Sequence, residues 1–345
     1  MKQIKIIICN TTIPFVTGGN ELFAQRLTEE FNSAGYNAEL ISFPFLLKGF
    51  RKNYLINNCN VWKTLDLSKS ADVVIPLKFP SWMVKHQNKI VYLNHQFRRA
   101  YDLFNSPYGP VKNQITYSAK EYVKNSDTKY LGTSKKLFSV SKNVQKRLYL
   151  YNKLESEVLY HSLPYEGKYF HNTYGDYILG VGRLVKIKRF DLLIQAMSHT
   201  QSPARCIIAG TGNQFKPLQK LVHTLGVEHK VILLGWVSDD DLIKLYANSL
   251  GVYYAPIDED YGLVTLEAFK SYKPVLTTPD SGEILEFVKP GFSGEVLPKD
   301  PVIFAEQIDR WYYDRTKVEQ LGKNGYEIVN DISWSKCISR LAEFF

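Results

Sequence analysis

Short apolar runs alternate with longer stretches of helical periodicity along nearly the whole chain, and this alternation constrains the fold more than any other feature. In the second half the runs are Tyr177–Leu179, Cys206–Ala209, Val231–Leu234, Leu250–Tyr254, Pro274–Thr277 and Gly294–Val296. Between two of them, Phe215, Leu218, Leu221, Val222 and Leu225 share one helical stripe. Ser238 with Asp241 three residues on forms a capping box, and Asp239 and Asp240 add negative charge to the same first turn. Strands alternating with helices predict a parallel sheet covered on both faces.

The first half repeats the theme less cleanly. Ile4–Cys9 reads as a strand, followed by a Gly18-Gly19 turn and an amphipathic helix carrying Leu22, Phe23, Leu27 and Phe31. Gly35 closes that helix, and Ala38–Phe43 is the next predicted strand. Further strands are predicted at Val73–Pro76, Ile90–Asn94, Lys129–Gly132 and Glu157–Tyr160. The stretch His161–Asp176, rich in Gly, Pro, Tyr and Asn, separates the halves. A chain of 345 residues accommodates two domains of ordinary size. The expected architecture is α/β, with two Rossmann-like doubly wound domains, residues 1–165 and 166–345, facing each other across a ligand-binding cleft.

Composition narrows the class. With 45% hydrophobic and 22% charged residues, the chain is neither disordered nor collagen-like. No apolar run reaches the roughly 18 residues of a spanning helix, and Ile6–Cys9 is too short for a signal-peptide core. Cys9, Cys59, Cys206 and Cys337 lie far apart without a CxxC, which points to reduced thiols and a cytoplasmic protein, not a disulfide scaffold or zinc site. Charge is unevenly placed. Residues 1–165 hold 23 Lys+Arg against 11 Asp+Glu, a net +12, whereas residues 166–345 carry −3. A basic half implies an anionic partner: nucleic acid, a membrane surface or a phosphate-bearing substrate.

Two GxG patterns, Gly180-Val181-Gly182 and Gly210-Thr211-Gly212, lack the third glycine of a dinucleotide fingerprint and read as tight strand-to-helix turns. Beyond Gly182, Arg183 and Lys188 leave the carboxyl end of a predicted strand, where a guanidinium and an ammonium would hold a diphosphate; a solvated basic loop is the plainer alternative. In the segment from Asp258 to Ala268, Glu259 and Glu267 stand eight positions apart. Gly262 between them permits a tight turn that aims helix N–H groups at a phosphate. One carboxylate is then placed for sugar hydroxyls and the other for a ribose, or both belong to an acidic loop capping a helix.

On these residues the sequence resembles the retaining glycosyltransferases of family 4, which have the GT-B fold. The resemblance rests on Gly182, Arg183, Leu184 and Lys188, on Gly210-Thr211-Gly212, on Leu234-Gly235-Trp236-Val237 and on the Glu259/Glu267 motif. Lys273-Pro274-Val275 and Asp280-Ser281-Gly282 with Glu286 continue it, and Gly18-Gly19 and Leu93–Leu103 extend it into the first half. It implies that Arg183 and Lys188 hold a donor diphosphate, Glu259 contacts the transferred sugar, Glu267 contacts the ribose and His95 lines the sugar pocket. The remaining implied donor contacts are Gly18, Gly19, Gly182, Gly212, Trp236, Val237, Tyr261, Gly262, Leu263 and Val264. It also implies no metal and no cofactor, with the final helix, about residues 332–345, crossing back to the first domain. Where family members often have two adjacent glycines, this chain has Gly282-Glu283, a carboxylate turned either to the donor or to solvent.

The expected activity is therefore hexose transfer from a UDP- or GDP-sugar to a hydroxyl of a glycan or lipid-linked acceptor, with retention, in envelope polysaccharide, lipopolysaccharide or glycolipid synthesis. A nucleotide-sugar epimerase or a glycan phosphorylase would share the fold. A nucleic-acid-binding role lacks a recognition helix or RNA-binding aromatic motif to support it, and no nucleic-acid partner is expected. The cations and aromatics of Lys48–Tyr54 form either a surface resting on anionic lipid, placing the enzyme peripherally at the inner face of the membrane, or a solvated basic face. Asp239–Asp241 reads as a helix start, not a metal motif.

Overall fold

The computed structural model describes residues 3–15, 18–46 and 48–345. The chain divides into two compact units: Met1–Pro164 with Ile332–Phe345, and Tyr165–Asp331.

The first unit carries β1 (Lys5–Thr12), β2 (Asn37–Pro44), β3 (Val73–Pro76), β4 (Ile90–Leu93), β5 (Lys136–Ser139) and β6 (Glu157–Val158). They form two parallel three-stranded ladders, β2-β1-β3 and β4-β5-β6. Bridges Val74↔Lys89 and Lys78↔His95 connect the β3 and β4 segments. In register, Ile6 lies opposite Ala38 on one side and Val73 on the other, so β1 is central, and its residues from Ile6 to Thr11 are buried. The helix Gly19–Ser33 buries Phe23, Ala24, Leu27 and Phe31, the stripe that its i, i+4 spacing dictates.

Lys129–Gly132 is not a strand. It ends the helix Gln114–Leu131, which Asn113 caps by accepting from the Thr116 N–H at 3.1 Å. The buried positions of that helix, Thr116, Ala119, Val123, Ser126, Asp127 and Leu131, are half polar, which hides its amphipathicity from a hydrophobic count. Asp127 is held by Trp82 Nε1 at 3.0 Å and Tyr101 Oη at 2.7 Å. The strand that follows is β5.

Of the basic segment Lys48–Tyr54, Lys48, Arg51 and Lys52 are exposed, but Phe50 is buried and packs near Phe97 and Phe104. The aromatic between the cations is thus core rather than surface. No helix among the described residues is long and apolar enough to cross a membrane.

The C-terminal helix Trp334–Ala342 buries Trp334, Cys337, Ile338 and Leu341. Its Trp334 Nε1 donates to the Leu163 carbonyl at 2.9 Å, and Arg340 reaches Glu157 at 2.7 Å. His161 is sandwiched between Phe23 and Trp334, with ring centroids 4.2 and 5.3 Å away.

The second unit carries β7 (Tyr177–Val181), β8 (Arg205–Ala209), β9 (Val231–Gly235), β10 (Gly251–Tyr253), β11 (Val275–Thr277) and β12 (Gly294–Val296). All are parallel, in the order β12-β11-β10-β7-β8-β9. The chain builds outward from β7 to β9, then returns to the other side of β7 to lay down β10, β11 and β12. The topological switch therefore falls between β7 and β10, where open α/β sheets bind ligands. Below it, Ile178, Leu193, Met197, Ile208, Tyr253, Leu276, Phe304 and Trp311 form one buried core. Each such side chain contributes about 1.5–3 kcal/mol by leaving water.

Candidate active site

The site is built from loops at the carboxyl ends of β7, β10 and β11, three neighbouring strands. After β7, Gly182 has φ 141° and Gly210, after β8, has φ 144°. A Cβ on Gly210 would lie 1.9 Å from the Gly182 carbonyl oxygen, and one on Gly212 would lie 2.3 Å from that of Leu184. The glycines let the two loops bond backbone to backbone: Gly182 N–H to the Ala209 carbonyl at 3.1 Å, Leu184 N–H to that of Thr211 at 2.8 Å. Arg183 emerges from this brace with its side chain exposed.

A short 3-10 turn, Lys186–Lys188, then brings Lys188 over the loop after β10. Its Nζ donates to Glu259 Oε2 at 2.6 Å and to Tyr254 Oη at 2.7 Å. Both members of the ion pair are largely enclosed, with side-chain exposures of 12% for Lys188 and 20% for Glu259. Burial and the neighbouring carboxylates Glu259 and Glu267 raise the Tyr254 phenol well above its usual range, so it stays protonated. An ammonium carries three protons; two are committed here, and the third is available to an anion.

Glu259 is fixed from behind as well. Its N–H donates to the Ser281 carbonyl at 3.2 Å, and its own carbonyl accepts from Glu283 N–H at 3.0 Å. Glu283 is 1% exposed, so it does not turn to solvent. Three residues past Glu259, Gly262 adopts φ 83° and caps the helix Leu263–Lys270. A side chain there would lie 2.9 Å from Ile284 Cγ1. Leu263 and Val264 sit in the first turn, whose free N–H groups attract negative charge. Tyr261 is buried, its ring 6.2 Å from that of Phe287.

One turn further, Glu267 accepts from Tyr246 Oη at 2.6 Å and from Tyr169 Oη at 3.3 Å. Burial raises its pKa, opposed by these two phenols. Trp236, beyond β9, is 78% exposed, and Val237 beside it is half-buried. Ser238 caps the next helix by accepting from Asp241 N–H at 3.2 Å, and Asp239 accepts from Tyr165 Oη at 2.5 Å.

Gly18, Gly19 and His95 belong to the other unit. There Gly18 N–H donates to Glu21 Oε2 at 3.1 Å, and Asn94 Nδ2 to Asn20 Oδ1 at 2.8 Å, tying the helix start to the end of β4. His95 Nδ1 lies 2.8 Å from the Gln96 carbonyl.

Lys188 thus meets Glu259 and Gly262, more than 70 positions further along the chain, at the switch point. Sequence reasoning missed Tyr254, Tyr246 and Tyr169, which hold the two glutamates, and Arg189, which is buried among the loops. A tyrosine at a strand end carries no spacing signal, since the same residue serves as core in Tyr253.

Residues 165–328 match the family model for glycosyl transferases group 1. This segment is a glycosyl transferases group 1 domain. Over 157 residues the chain is 36% identical to an uncharacterized glycosyltransferase of Methanocaldococcus jannaschii, an alignment covering 44% of this chain and 40% of that protein. It thus spans about two fifths of that relative's length. A second uncharacterized glycosyltransferase of the same organism is 26% identical over 97% of this chain and 96% of its own. The alpha-1,3/1,6-mannosyltransferase ALG2 of Mus musculus is 31% identical over 32% of this chain and 26% of its own. Among solved structures, sucrose-phosphate synthase from Thermosynechococcus elongatus superposes with a TM-score of 0.79 at 16% identity, covering 99% of this chain and 98% of that one. Anabaena HepE in complex with UDP-glucose gives 0.74 at 15%, covering 99% of each. The chain has the GT-B fold, with its group 1 segment containing the loops described above.

Proposed function

We propose that the chain is a retaining glycosyltransferase of family 4 that moves a hexose from a nucleotide sugar to an acceptor hydroxyl. The observation that carries this reading is the Lys188–Glu259 pair, 2.6 Å apart beside the Gly262 helix start, at the switch point of the second unit. It joins a cation for the diphosphate, a carboxylate for sugar hydroxyls and helix N–H groups for phosphate oxygens. Glu267, with its tyrosine-bound carboxylate, takes the nucleotide ribose, and Gly182, Gly212, Trp236 and Val237 complete the donor pocket.

Cleavage of the sugar–phosphate bond places charge on the leaving diphosphate. Arg183, Lys188 and the helix N-terminus neutralise that charge without a metal or other cofactor. The departing phosphate oxygen takes the acceptor proton on the same face of the sugar, which retains the anomeric configuration. The complex of Anabaena HepE with UDP-glucose favours UDP as the nucleotide, with GDP the alternative. A glycan or lipid-linked acceptor, and work at the inner face of a membrane in envelope polysaccharide, lipopolysaccharide or glycolipid synthesis, complete the proposal.

Proton NMR of donor consumption tests it, with UDP-glucose and GDP-mannose as donors and simple alkyl glycosides as acceptors. The product should keep the donor's anomeric configuration, and Arg183→Ala should slow its formation roughly a hundredfold. An inverted product, or an Arg183→Ala rate equal to the unaltered chain's, would overturn the mechanism.

A further inference from the structure

Arg189 follows Lys188 and is built into the same three loops in a way that donor binding by Lys188 does not require. Its backbone lies in the left-handed region, with φ 54° and ψ 39°, where glycine fits without strain and a side chain does not. An arginine there, 9% exposed, is held by what its guanidinium does. Nε donates to the Ala255 carbonyl at 2.6 Å. Nη2 donates to the Pro256 carbonyl at 2.8 Å, to Thr278 Oγ1 at 2.7 Å and to Asp280 Oδ1 at 2.8 Å. Nη1 completes a two-point grip on Asp280 through Oδ2 at 3.0 Å. Asp280 in turn accepts, at its backbone carbonyl, the N–H of Asp258 at 2.8 Å.

One side chain therefore ties together the loops that follow β7, β10 and β11, and the segment it grips, residues 255–258, leads directly into Glu259. Lys188 holds the Glu259 carboxylate, while Arg189 holds the backbone that delivers it. We infer that Arg189, paired with Asp280, is a positioning residue that sets Glu259 for the transferred sugar, so that the clamp supports recognition of the hexose and not of the nucleotide. Arg189 touches no substrate in this scheme. The inference rests on the proposed role of Glu259 and extends it to a second layer of residues. The planar fork is essential to it: lysine carries the charge but cannot grip a carboxylate at two points while reaching two carbonyls.

The test is calorimetry with two ligand pairs, UDP with UDP-glucose and GDP with GDP-mannose, on the full chain and on three variants. Arg189→Gly suits the backbone conformation, and Asp280→Asn breaks the clamp from its other end. Glu259→Gln is the reference. In the pair that binds, each variant should lose roughly tenfold in affinity for the nucleotide sugar while affinity for the nucleoside diphosphate stays within about twofold. If Glu259→Gln shows that split and both clamp variants bind the nucleotide sugar normally, the clamp inference is wrong and the role of Glu259 stands. Equal losses for sugar-bearing and sugar-free ligands in the clamp variants also overturn it, since that is the behaviour of a merely structural residue. If Glu259→Gln shows no split, or the unaltered chain binds neither pair, the underlying donor-site reading fails and the inference falls with it.

Discussion

Lys188 and Glu259 were legible in the sequence because their neighbours constrain them: one follows a glycine turn at a strand end, the other precedes a glycine-capped helix. Their mutual contact at 2.6 Å was not legible, because the two residues lie 71 positions apart and meet only through the order of strands. The same holds for Arg189. Its left-handed backbone leaves no mark on its identity, and its five bonds reach residues 66 or more positions away only once β7, β10 and β11 are neighbours. Gly262 is the residue whose identity the backbone dictates most directly. At φ 83°, with Ile284 Cγ1 2.9 Å from a would-be Cβ, it has no room for a side chain. Gly262→Ala should cost about 1–3 kcal/mol of stability in denaturant titration, with weakened nucleoside diphosphate binding as the helix start shifts. Unchanged stability and binding would show that the helix start tolerates a side chain.

Among the elements, strands with wholly apolar runs and helices with clear stripes are readable because burial selects their residues one position at a time. The helix Gln114–Leu131 escaped because three of its buried positions, Thr116, Ser126 and Asp127, are polar, and Asp127 is satisfied by Trp82 and Tyr101, partners that a sequence does not display. The C-terminal helix shows how one element is fastened. His161, 2% exposed and stacked between Phe23 and Trp334, has its pKa lowered to about 4 by burial. Its unfolded value is near 6.5, so the folded chain resists a proton that the unfolded chain accepts. Stability from this residue is full above pH 6.5 and is lost as pH falls through 6.5 toward 4, on the order of 3 kcal/mol in all. Urea titrations of His161→Phe, which keeps a ring in the stack, should show that part of the pH dependence removed. A variant with the same slope as the unaltered chain over that range would assign the acid sensitivity elsewhere.

For the molecule as a whole, charge is its most conspicuous asymmetry: the first 165 residues carry a net +12, with Lys48, Arg51 and Lys52 exposed and Phe50 folded inward. Association with an anionic bilayer would then be electrostatic, worth about 1 kcal/mol per cation near the surface and screened over a Debye length of about 8 Å at physiological salt. In sedimentation with vesicles, the chain should pellet with phosphatidylserine-containing lipid at low salt and release at roughly 0.5 M salt. Equal behaviour with neutral vesicles would remove the membrane from the proposal. Two doubly wound α/β domains were readable from strand–helix alternation, and the GT-B fold from the resemblance that the glycine, arginine and glutamate motifs carry, whereas the identity of the hexose and of its acceptor depends on pocket shape that no spacing encodes.

The donor site at the switch point is the central claim, and thermal unfolding with UDP, GDP, NAD and a set of UDP- and GDP-hexoses, with and without EDTA, tests it most directly. A ligand at a hundred times its dissociation constant adds about 2.7 kcal/mol, a readily visible rise in melting temperature. The account predicts a rise with one nucleotide class, none with NAD, no effect of EDTA, and loss of the rise in Glu267→Ala. No rise with any nucleotide, or one that EDTA abolishes, would contradict it.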